Sequence, residues 1–123
     1  MNLSHPKKEG SMKIAIPLVG GKLCQHFGHC EQFALLEIDE AGGRVSNMSL
    51  HVPPPHEPGV LPRWLAGLGA ELVIAGGMGR QAQSILAEHG VKVVIGAQVD
   101  TPQDLALAWL GGKLVTGPNT CDH

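Results

Sequence analysis

Four side chains able to ligate a metal fall within seven residues: Cys24, His26, His29 and Cys30, in the run CQHFGHC at positions 24–30. Thiolate and imidazole are the usual protein ligands of zinc, copper and iron–sulfur clusters, and Gly28 gives the run the freedom to fold around one centre. The spacing is neither that of a zinc ribbon nor that of a ferredoxin. The separation of Cys24 from Cys30 is not the Cys-x-x-Cys of thiol oxidoreductases. We therefore expect at least two of the four groups to hold a metal or metal–sulfur centre. In the competing reading, one cysteine is a small buried hydrophobe and the histidines face water.

Three further segments carry candidate groups. Cys121 and His123, in Cys121-Asp122-His123, form a possible ligand arm. The eleven residues from Lys113 onward, at about 3.3 Å each, span roughly 35 Å and reach across a small domain; the alternative is a loose end. Gly76, Gly77, Met78, Gly79 and Arg80 form a glycine-rich turn that exposes backbone N–H groups beside the positive end of a following helix. With Arg80 it suits phosphate, sulfide or another anion, although it lacks the P-loop Lys and the Gly-x-Gly-x-x-Gly spacing; a plain tight connection is the alternative. His51 and His56 flank Pro53-Pro54-Pro55, a stiff segment suited to presenting His56 as a further ligand or leaving it on the surface.

Composition narrows the functions these groups could serve. The chain has 123 residues, 43% of them apolar, enough for one core without disulfide staples. Three cysteines cannot all pair within a chain, and in a reducing compartment they are free thiols or ligands. A net charge of −2 with only 16% charged residues gives no general attraction for nucleic acid or an anionic membrane. No apolar run is long enough to span a bilayer. Residues 1–11 are polar, lack the apolar stretch of a secretory signal, and are expected to be a disordered extension or cloning remnant. The expected location is the cytoplasm. With no carboxylate in KIAIPL (13–18), the first strand cannot supply the paired acids of a two-metal nuclease, and no nucleophile elbow is present. Binding is favoured over catalysis.

The elements that must position these residues follow from periodicity. Residues 13–18 alternate as a first strand, expected to end at Pro17 and Gly20-Gly21, and residues 23–31 are expected to be irregular. Residues 32–39 and 44–52 form a hairpin about Gly42-Gly43, stopped by the prolines. Leu61, Trp64, Leu65 and Leu68 have helical spacing, with Pro62 tolerated in the first turn. Residues 71–75 form a short buried strand and 80–89 a helix closed by Gly90. Residues 91–95 form a last strand, and a helix capped by Asp100 or Thr101 runs from Pro102 to Leu110. This predicts an α/β domain over residues 12–123, ribonuclease H-like, with a five-stranded mixed sheet in the order 3-2-1-4-5 and helices on both faces. Strands one, three, four and five then discharge their loops at one edge, the carboxyl edge where open α/β sheets take ligands. That edge gathers Cys24, His26, His29, Cys30, His51, His56 and the turn at 76–80.

At these residues the chain resembles a known family. Met12-Lys-Ile-Ala-Ile-Pro17, His26-Phe-Gly28, Ala75-Gly-Gly-Met-Gly-Arg80 and Cys121-Asp-His123, in that order, are similar to the dinitrogenase iron–molybdenum cofactor biosynthesis family, which includes NifX, NafY and the C-terminal part of NifB. The likeness runs over nearly all of residues 12–123, and its motifs are specific jointly rather than singly. It implies a ribonuclease H-like domain that carries an iron–sulfur or molybdenum-containing cluster, and it points to His26, Cys121 and His123 as ligands. His29, Cys30 and the His56 loop look like a subgroup's version of the site. The resemblance also implies a cluster donor or acceptor protein as partner, or an Mrp-type P-loop ATPase.

The reading that results is a stand-alone cofactor carrier, monomer or homodimer, that holds a metal or metal–sulfur cluster and hands it on without catalysing a reaction. Iron–sulfur or molybdenum-containing cargo is favoured, with zinc or copper as alternatives. The rival is a metal-free module that regulates the ATPase through the same edge; a metal-dependent hydrolase is a weaker third.

Overall fold

The computed structural model describes residues 11–55, 57 and 59–117. Its elements run β1 (Ser11–Val19), β2 (Lys22–Leu23), a 3-10 turn (Phe27–His29), β3 (Gln32–Asp39), β4 (Arg44–His51), α1 (Val60–Gly67), β5 (Leu72–Ile74), α2 (Arg80–Glu88), β6 (Lys92–Val94) and α3 (Pro102–Leu110). The sheet is mixed and has six strands, in the path β4-β3-β1-β5-β6 with β2 hydrogen-bonded to β1. β1 and β3 are antiparallel from Ser11 opposite Asp39 to Leu18 opposite Gln32. β5 and β6 run parallel to β1.

Alternation along β1 explains the layering. Ile14, Ile16 and Leu18 point to one face, where they pack with Leu36 and Ile38 of β3 under Leu105 and Ala106 of α3. Ala15 points to the other, beside Phe33, Leu35 and Val73, under Leu65 of α1 and Leu86 of α2. Each side of the sheet is thus covered by helix, and all these side chains are buried. Helix α3 starts where its cap chemistry dictates: the Thr101 hydroxyl accepts the Asp104 N–H at 3.3 Å, with Pro102 at the first helical position.

Four expectations are corrected. The sheet has six strands instead of five, because Lys22 and Leu23 fold back on β1 as a two-residue strand opposite Val19 and Leu18. Residues 23–31 are not irregular throughout, since they hold part of that strand and the 3-10 turn. The first strand begins at Ser11, which pairs with Asp39 and therefore belongs to the fold instead of the extension. Nor does the strand end at Pro17: Pro17 lies inside β1 opposite Phe33, and its carbonyl accepts the Cys24 N–H at 2.9 Å. Proline withholds a donor but keeps its acceptor, so the returning loop can dock there.

Beyond α3 the chain returns to the loop that leaves β6. Thr116 forms an antiparallel bridge with Ala97, and the Gly117 N–H donates to the Gly96 carbonyl at 2.7 Å. No helix among the described residues is long and apolar enough to cross a membrane.

Candidate metal centre at the carboxyl edge

Because β4, β5 and β6 run parallel to β1, the loops leaving these strands share one edge of the sheet. Three of those loops are stitched together by backbone hydrogen bonds. The Phe27 N–H donates to the Gly77 carbonyl at 3.2 Å, and the Gly96 N–H donates to the Gly76 carbonyl at 2.8 Å. His26 and Gly77 form a parallel bridge. Gly76 is closely approached there: a Cβ on it would lie 3.1 Å from the Gln25 Cα, so that backbone would have to give by a few tenths of an ångström. Gly76 and Gly77 therefore serve to join loops.

The first loop sorts its candidate ligands by polarity. Phe27, the buried residue of the 3-10 turn, sets its ring edge-on against Phe33 at 5.7 Å between centroids. Anchored this way, the turn directs the thiols inward. Cys24 is buried and Cys30 half-buried, both as free thiols. The Cys24 thiol donates to the His26 carbonyl at 3.2 Å and the Cys30 thiol to the Phe27 carbonyl at 3.4 Å, so the two sulfurs bond to consecutive carbonyls of one turn. Burial pushes the Cys30 thiol up to about 12, the nearby Cys24 adds to the rise, and a backbone hydrogen bond offsets part of it. Cys30 is therefore a protonated thiol at neutral pH, and any metal it accepts must displace that proton.

His26 and His29 lie on the outer side of the same loop. Both are exposed, with ring centroids 6.1 Å apart. Cys24, His26 and His29 line one groove of about 430 Å³, together with Lys22, Gln25 and Val99. The structure thus brings these three candidates to one groove. Among the described residues, however, no three His, Cys, Asp or Glu side chains are grouped closely enough to hold one ion.

The remaining candidates divide. His51 ends β4 with its Nε2 2.9 Å from the Ser49 hydroxyl and its ring 6.4 Å from that of Trp64; it packs against α1. Met78 is fully buried, and its carbonyl accepts from the Gln83 side chain at 3.0 Å. Gly79 caps α2 and Arg80 opens it, both exposed. Neither α1 nor α2 has a side-chain cap or an acidic residue in its first turn. The two helix starts meet at a cavity of about 330 Å³ lined by Phe27, Gly28, Gly59, Met78 and Gly79, with Glu57 as its one acid among the described residues. His56, Cys121 and His123 lie outside the described residues.

Sequence reading missed Gly96 and Gly117, although they hold the C-terminal segment at this edge. Gly96 has φ +83°, and a Cβ on it would fall on the Gly117 carbonyl. A glycine directly after a strand was the available signal.

Residues 10–112 match the family described as dinitrogenase iron-molybdenum cofactor. The chain belongs to this family. Within the dinitrogenase iron-molybdenum cofactor family, an uncharacterized protein of Methanocaldococcus jannaschii, MJ0580, is 30% identical over 108 residues, covering 84% of this chain and 89% of the relative. The crystal structure of PH0822 is similar with a TM-score of 0.78 and 31% identity, over 85% of this chain and 94% of that one. The apo form of the orange protein from Desulfovibrio gigas has a TM-score of 0.69 at 21% identity, over 88% of this chain and 94% of the other, a likeness of fold.

Proposed function

We propose that the chain is a cofactor-carrying protein that holds a metal or metal–sulfur cluster as cargo at the carboxyl edge and catalyses no reaction of its own. One observation carries this reading. Cys24 and Cys30 hang from a turn that is hydrogen-bonded to the Gly76-Gly77 loop, and the same loop is hydrogen-bonded to Gly96, over which the C-terminal segment passes. In a family defined by cofactor assembly, that junction is where cargo would rest.

The donor chemistry fits. Two thiols turned into the turn and two imidazoles on the adjoining groove offer soft and borderline ligands. His56, Cys121 and His123 are the further donors of this reading. Gly117, the last described residue, is hydrogen-bonded to Gly96, and the four residues from it to Cys121 can span at most about 13 Å. The uncapped starts of α1 and α2, with Gly79 and Arg80, suit the anionic sulfide or oxo groups of a cluster. Holding cargo requires both thiols to lose their protons and the imidazoles to turn inward, so the loaded loop differs from the one described.

Anaerobic purification followed by metal, acid-labile sulfide and visible-absorption measurement tests the reading. The expected result is stoichiometric metal that is lost in Cys30→Ser and reduced in His26→Ala. Metal retained in full by both variants would overturn the assignment of the site.

A further inference from the structure

The loop that carries the two thiols is closed at its base. The Cys24 N–H donates to the Pro17 carbonyl and the Glu31 N–H to the Leu18 carbonyl, each at 2.9 Å, so its two ends stand on consecutive residues of β1. Between them the His29 N–H donates to the His26 carbonyl at 2.9 Å, folding the stretch between the cysteines into one turn. Each sulfur bonds back onto that turn, Cys24 to the His26 carbonyl and Cys30 to the Phe27 carbonyl. Consecutive carbonyls of a 3-10 turn point along one direction, which brings both sulfurs to one end of it. They are near enough to interact: burial first, and Cys24 second, raise the Cys30 pKa.

Access to the pair is unequal. Cys24 lines the groove shared with His26 and His29. Cys30 is not part of that lining and packs against the core cluster that contains Phe27 and Phe33. A small molecule in the groove therefore meets Cys24 first, with Cys30 behind it.

We propose that Cys24 and Cys30 form a reversible disulfide in the empty chain, so that the site takes cargo only when reduced. The oxidant is a small-molecule disulfide such as oxidised glutathione. The Cys24 sulfur gives up its proton to water and attacks one sulfur of that molecule, whose other half leaves as a thiolate and takes up a proton. The Cys30 sulfur then attacks Cys24 in the mixed disulfide and expels the second half, which leaves carrying the Cys30 proton. Two protein thiols are oxidised to one disulfide, and one small disulfide is reduced to two thiols. Gly28, inside the turn, gives the backbone freedom to tighten as the bond forms. The closed pair offers no thiolate, the form that ligates metal. Its effect on loading rests on the cargo reading above; the pairing itself does not.

Mass spectrometry of the full chain, stripped of metal by a chelator and incubated with oxidised glutathione, tests the pairing. The tryptic peptide from Leu23 to Arg44, which holds both cysteines, is expected to lose two hydrogens and to regain them with dithiothreitol. Cys121→Ser is expected to behave alike, and Cys30→Ser in that background to stop at the mixed disulfide on Cys24. Chain purified anaerobically with its metal is expected to close roughly tenfold more slowly, because a bound sulfur is not free to attack. A stripped chain that stops at the mixed disulfide, or that joins either cysteine to Cys121, overturns the pairing. Equal closing rates with and without metal overturn the effect on loading. A chain that carries no metal as purified fails the cargo reading, and with it the effect on loading, while the mass of the peptide still decides the pairing.

Discussion

The Gly117 N–H donates to the Gly96 carbonyl at 2.7 Å, so the C-terminal segment is seated on the loop that leaves β6. Gly96 permits this in two ways. Its φ of +83° is a conformation that side chains rarely adopt, and its missing Cβ leaves room for the Gly117 carbonyl. Gly96→Ala is therefore expected to unseat the segment and lower stability by about 1–3 kcal/mol, measured by urea denaturation. In the metal assay it is expected to lose cargo to the same degree as a chain truncated after Gly117, which lacks Cys121 and His123. A variant as stable as wild type would show that the seat contributes nothing.

The sequence conveyed the elements better than the site. β3 and β4 are long runs that carry apolar residues throughout and flank a glycine turn, so local pattern locates them. The start of α3 is spelled out by Thr101 and Pro102. β2 is invisible because two residues have no period; what makes Lys22 and Leu23 a strand is the nonlocal partner β1. Ser11 is missed for the same reason, since only its pairing with Asp39 places it in the sheet. At the site, spacing gathers Cys24, His26, His29 and Cys30 in one loop but carries no information on side-chain direction. The burial of Phe27 decides that, turning thiols in and leaving imidazoles out. Contacts between segments distant in sequence, such as Gly96 with Gly117, leave no local trace at all.

Cys30 should make stability depend on pH at the alkaline end. Its thiol is held up to about 12 in the folded chain against an ordinary 9.0, chiefly by burial. The unfolded chain therefore releases this proton first, and the resulting stability is full below pH 9 and lost as pH rises toward 12. Denaturation midpoints of wild type are expected to fall more steeply than those of Cys30→Ser between pH 8 and about 10.5. Parallel curves would mean that Cys30 titrates alike in both states. The same protonation predicts slow alkylation of Cys30 by iodoacetamide near neutral pH, faster after unfolding, read by mass spectrometry.

Phe27 links the core to the candidate site, and its replacement should separate the two. Its ring lies 5.7 Å from that of Phe33, which lies 5.6 Å from Trp64, giving a run of edge-on aromatic contacts from the site loop to α1. Phe27 is 5% exposed, while its neighbours His26, Gly28 and His29 are all exposed, so little else packs the turn down. Phe27→Ala is expected to cost about 3–5 kcal/mol, and Phe27→Leu, which keeps most of the apolar volume, roughly 1 kcal/mol. Both variants keep the backbone donors of the loop, the Phe27 N–H to the Gly77 carbonyl among them, so backbone hydrogen bonds must then hold the turn with less help from packing. In Phe27→Leu, amide hydrogen exchange is expected to quicken at His29 and Glu31, whose N–H groups bond to His26 and Leu18, while the β1–β3 ladder exchanges at the wild-type rate. Equal acceleration in the loop and the ladder would show that the ring stabilises the whole sheet instead of holding the turn that carries both thiols.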